Sequence, residues 1–92
     1  MDIAAVWHDY FVSWPKELPR QGVLVTILDE QIGFAGFMTS ATMLLIDRRA
    51  PDTVGARKVI LPYANIAAVK LVDVVKAKAL QSAGFVGDLP NQ

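Results

Sequence analysis

The residues with the most chemistry to offer lie in three places. His8, the only histidine, stands beside Asp9, and a base oriented by a carboxylate is a pairing that general acid–base catalysis uses. Adjacent residues on a helix point apart, so this spacing does not preassemble the pair. Tyr63 and Asn65 put an aromatic ring and an amide close together in sequence. Single-stranded nucleic acid is commonly read by such a set, with a base stacked on the ring and its edge bonded by the amide. The same two residues have a structural reading, in which Tyr63 packs at a subunit seam and Asn65 satisfies the backbone of a tight link. Arg48, Arg49, Arg57 and Lys58 stand at the two ends of one loop. They either meet phosphates along one face or keep a hairpin end solvated, as Lys70, Lys76 and Lys78 do for the segments that follow.

Other chemistries fall away. The chain has no cysteine, so disulfides, thiolate metal sites and a cysteine nucleophile are excluded. Asp29 and Glu30 share a turn with no histidine nearby in sequence, and no metal centre is expected there. Gly33 and Gly36 have the wrong spacing for a dinucleotide fingerprint and no helix opens after them to receive a phosphate. With no nucleophile, base and orienting group to assemble, the expectation is a protein that is not an enzyme and needs no cofactor. Nine Lys and Arg balance nine Asp and Glu, which removes the overall basic charge typical of nucleic-acid binders. The distribution is uneven: residues 1–30 carry five acidic and two basic groups, while residues 48–78 carry seven basic and two acidic.

The elements that must position these residues begin with a helix. Asp2 can cap a segment in which Ile3, Val6, Tyr10 and Phe11 form an apolar stripe flanked by Trp7 and Trp14. Pro15 and Pro19 stop it, so residues 1–14 read as helix and 15–22 as a connector. Five short runs of β-branched and aromatic residues follow, at 23–28, 32–38, 41–47, 58–61 and 65–72, separated by turn formers. Gly33 and Gly36 fall inside the second run, which implies a bulge or sharp bend. Val23, Val25 and Ile27 alternate with Leu24 and Leu28, so both faces of the first strand want covering. A curled sheet with the helix or a neighbouring subunit outside meets that need. Ile60 is expected in the core or at a seam. Asp73 can cap a second helix over 74–83 ended by Gly84, or Val74 and Val75 merely lengthen strand five. Residues 84–92 read as a loosely held tail.

The 92 residues fit one domain, placed at 1–83, and 53% of them are hydrophobic. That surplus for so small a chain points to subunit contacts. No run approaches the roughly 20 apolar residues of a membrane span, and the N-terminus lacks a leader pattern. A soluble, cytoplasmic protein without membrane association is expected.

Helix, then five strands with a longer loop between the third and fourth, resembles the Sm and Sm-like family, including its bacterial RNA-chaperone branch. Val23-Leu24-Val25-Thr26-Ile27-Leu28 is similar to the family's first strand. Ile32-Gly33-Phe34-Ala35-Gly36-Phe37-Met38 is similar to its second, with Gly36 where the family bends it. Met43-Leu44-Leu45-Ile46-Asp47 resembles the third strand, and Leu61-Pro62-Tyr63-Ala64-Asn65-Ile66 falls at the signature joining strands four and five. The resemblance implies a mainly β fold, a small, strongly bent, five-stranded antiparallel Sm-like (SH3-like) barrel. It also implies a homo-oligomeric ring of six or seven copies, strand four of one pairing with strand five of the next. Single-stranded RNA is the implied ligand, with Tyr63, Asn65, Arg48, Arg49, Arg57 and Lys58 as candidates; a structural or protein-interaction ring is the alternative. The chain departs from the family at Thr39-Ser40-Ala41-Thr42-Met43, where an acidic residue and often Asn are usual. It departs again at Pro62-Tyr63-Ala64, where Arg-Gly or Lys-His is usual.

Overall fold

A computed structural model describes residues 2–90. The N-terminal helix α1 (Ile3–Val12) starts as its sequence dictates, with the Asp2 carboxylate accepting from the Ala4 amide at 3.0 Å. Its buried face differs from the expected stripe. Phe11 is buried and Ala4, Trp7 and Tyr10 pack beside it, while Ile3 and Val6 stand about half exposed. The helix ends before Trp14, which turns inward: its indole donates to the Leu18 carbonyl at 3.1 Å and its ring stacks on Phe11. Trp14 and Leu18 make the connector part of the core.

Five strands follow: β1 (Gly22–Thr26), β2 (Gln31–Thr39), β3 (Met43–Arg48), β4 (Lys58–Pro62) and β5 (Ile66–Lys70). They form one antiparallel sheet in the order β4-β3-β2-β1-β5. Each strand sends alternate apolar residues inward: Leu24, Ile32, Phe34, Phe37, Leu44, Ile46, Leu61 and Ile66 meet in a single cluster with Phe11 and Trp14. One cluster fed by both margins of the sheet requires the sheet to curl around it. The expected bulge lies where the glycines are, the β2–β3 register slipping between Phe34 and Gly36; a second slip opposes Val25 and Thr26 on β5.

The expected barrel does not close. β4 and β5 are the two margins of the sheet, and they are not paired with each other among the described residues. Their link is the 3-10 turn η1 (Tyr63–Asn65), whose Tyr63 ring enters the core while the Asn65 carbonyl accepts from the Ile27 amide at 2.8 Å. That bond fixes the start of β5 beside the β1–β2 turn. In the turn itself Asp29 takes a positive φ of 67°, the left-handed position of a three-residue hairpin loop, leaving Leu28 88% exposed.

The second helix is shorter than expected. α2 (Ala77–Gln81) begins after Lys76, and Asp73 does not cap it but accepts from the Gln21 side chain at 2.8 Å. Val74 and Val75 belong to neither α2 nor β5. Gly84 ends the helical region as its sequence position suggested, at φ 95°. Among the described residues no helix is long and apolar enough to cross a membrane, and no group of three or more acidic, His or Cys residues could hold a metal ion.

Candidate functional site

The six candidates read from sequence do not converge. β4 carries Lys58 at one end and leads into Tyr63 and Asn65 at the other, a separation of roughly 15 Å at about 3.3 Å per residue. Tyr63 is 1% exposed. Its hydroxyl donates to the Ser40 carbonyl at 2.9 Å and its ring meets His8 edge-on with centroids 5.3 Å apart. Burial raises the phenol's pKa, so the ring is a neutral packing element and not an exposed platform for a base. The physical reason is local: Tyr63 stands two residues after Leu61, so the alternation of β4 carries it onto the same inner face across Pro62. Asn65 is exposed, and its backbone carbonyl holds the Ile27 amide.

The four loop cations do share one end of the sheet, since the Arg48 amide donates to the Arg57 carbonyl at 2.8 Å. Three are already engaged. Arg48 donates to the Ala50 carbonyl at 3.0 Å, Arg49 to the Gln21 side chain at 3.2 Å, and Lys58 pairs with Asp47 at 2.9 Å. The loop between them is ordered by Asp52, whose carboxylate accepts from the Val54 and Ala56 amides at 2.9 and 2.8 Å. The Ala56 bond above all, with smaller contributions from the Val54 amide and Arg48, holds the Asp52 pKa below its ordinary value against an opposing desolvation.

His8 and Asp9 correct the sequence reading in the other direction. The side chains do meet, with Nδ1 and Oδ1 2.9 Å apart, because both lie near the surface, where a short reach along the helix rim suffices. Thr42 and Tyr63 line a depression with His8, and the Tyr63 hydroxyl there is committed to the Ser40 carbonyl.

What the fold does bring together is apolar. Met38, Leu45 and Ile60 are register partners across β2, β3 and β4, on the face opposite the core. Met38 is 69% and Ile60 61% exposed, which excludes the core from the two placements expected for Ile60, core or seam. With Thr39, Ser40 and Met43 they line a depression of about 260 Å³, and Pro62, the register partner of Met43, extends the strip along β4. The chain matches no family model, no curated protein and no solved structure. The strip was missed in sequence, although β3 carried its signal: Met43 and Leu45 alternate with the core residues Leu44 and Ile46, so that strand is apolar on both faces.

At the opposite margin of the sheet, Val69 and Leu71 border an apolar groove of about 410 Å³ with Tyr10, Leu80 and residues 85–89. Burial raises the Tyr10 pKa, so the phenol is neutral there. Both margins of one sheet therefore carry exposed apolar surface, and among the described residues no further strand pairs with β4 or β5 there.

Proposed function

We propose that this chain is an Sm-like module that assembles with copies of itself, β4 of one copy adding to β5 of the next, and serves as a structural or protein-interaction ring. The observation that carries the reading is the pair of unpaired margins on one curled sheet, the first flanked by Met38, Met43, Leu45 and Ile60. An unprotected strand edge is a template for another strand, and apolar side chains beside it supply the burial that hydrogen bonds alone do not. Two different margins on one chain pair head to tail, an arrangement that closes a ring when the rotation between copies allows it.

The test is the mass of the purified chain by light scattering, with Ile60→Asp as the variant. The wild type is expected to be a closed oligomer, and the variant to dissociate without unfolding. A wild-type monomer at tens of micromolar removes the reading.

Single-stranded RNA as the cargo of such a ring is a second reading, supported by the four cations at the β3–β4 end, of which Arg57 is exposed and has no side-chain partner among the described residues. Oligouridine affinity measured at two salt concentrations tests it. Affinity should fall steeply with salt if phosphates are held; no binding at low salt removes it.

A further inference from the structure

We propose that Met38 and Met43 form a peroxide-sensitive pair whose conversion to sulfoxides releases the β4 contact between copies; this rests on the self-assembly proposed above. The chain has no cysteine and three methionines, so among the described residues these two carry all the sulfur. Both lie on one face of the sheet. Met38 is the register partner of Leu45, and Met43 stands two residues before Leu45 on the same side of β3. The two thioethers therefore hang from diagonal neighbours on adjacent strands, about 7–8 Å apart along the backbone. Both residues are exposed, and both line the same depression with Leu45 and Ile60.

In the separate subunit a peroxide reaches both sulfurs through water. A sulfur lone pair attacks one peroxide oxygen, an S–O bond forms as the O–O bond breaks, and the departing oxygen takes up the proton of the attacked one. The thioether loses two electrons and becomes a sulfoxide, while hydrogen peroxide is reduced to water. An apolar, flexible side chain has then become a polar one. Water solvates the new oxygen in the separate subunit. Against the strand of another copy it is an acceptor withdrawn from water, and the neighbouring Leu45 and Ile60 side chains offer it no donor. The fold does not rest on either sulfur. Phe37 and Leu44, next to them in sequence, supply the core on the opposite face. The Met43 backbone is held by Ser40, whose amide and hydroxyl donate to the Met43 carbonyl at 2.9 and 3.0 Å.

The experiment treats the full-length wild type and Met38→Leu/Met43→Leu with hydrogen peroxide, at protein concentrations above and below that at which the copies separate. Peptide mass spectrometry locates the sulfoxides and light scattering follows association. Leucine keeps the size and apolar character of methionine and has no sulfur to oxidise. The wild type should gain one oxygen at each residue, faster when dilute, and then associate at least about tenfold more weakly, with the melting of the separate subunit unchanged. Methionine sulfoxide reductases should restore its assembly, and the leucine variant should assemble equally with and without peroxide. No oxygen gained at either residue, or undiminished assembly of the doubly oxidised wild type, overturns the switch and leaves β4–β5 pairing standing. An equal loss of assembly by the leucine variant under peroxide assigns the effect to other residues and also overturns the switch. A wild type that stays monomeric throughout overturns switch and pairing together.

Discussion

A methyl group added at Gly22 would stand 2.5 Å from the carbonyl oxygen of Lys70, and because that oxygen belongs to the backbone of β5, the two strands would have to part. Gly22→Ala should therefore lower stability by about 1–3 kcal/mol, read as a shifted denaturant midpoint. Gly36→Ala is the control: its nearest neighbour would be the Asp47 Cβ at 4.0 Å, and a midpoint as low as that of Gly22→Ala would contradict the assignment. Asp52 supplies a pH-dependent prediction. Its folded pKa is depressed, so its contribution is present above the unfolded value of about 3.9 and is lost as pH falls through the lower, folded value. The Val54 and Ala56 amide resonances should titrate with a midpoint below that of an unfolded aspartate; a midpoint at or above it would show that the two bonds do not form.

At the scale of elements, α1 and the connector act together as a lid of aromatic side chains. Phe11, Trp14, Phe34 and Phe37 contact one another with centroids 5.0–6.5 Å apart, and Arg20 lies over the Phe37 ring at 3.7 Å. Trp14→Ala should cost about 3–5 kcal/mol, measured by chemical denaturation; a loss under 1 kcal/mol would mean that the connector is not core. The sequence revealed each strand, because turn formers such as Asp29-Glu30 and Thr39-Ser40 interrupt β-branched runs, and it revealed the bulge through Gly33 and Gly36. Neither glycine has a positive φ, so the irregularity belongs to the register of the pair and not to a conformation that only glycine reaches. The helix face was misread because periodicity fixes a stripe only to within one residue, and Trp7 with Ala4 won over Ile3 and Val6 once the larger ring found the core. Tyr63 was misread because it was assigned to the link, although it stands two residues after the core residue Leu61 and the alternation of β4 runs through Pro62 to it.

For the whole molecule, the apolar surplus already pointed toward partners, but only the topology places exposed apolar residues at opposite margins of one sheet. The RNA candidates lost their common site for the same reason: residues close in sequence around β4 lie at its two ends. Ile60→Asp belongs at this scale. Because Ile60 is 61% exposed, the isolated subunit should change stability by no more than about 0.5 kcal/mol, while the charge would sit without a partner in a dry contact between copies. A variant that assembles as the wild type does would place the contact elsewhere.

Multi-angle light scattering of the purified wild-type chain, followed from high to low micromolar concentration, addresses the central claim most directly. A discrete mass several times that of one 10.0 kDa chain, held until dilution separates the copies, is the predicted result. A constant mass of one chain over the whole range would contradict it.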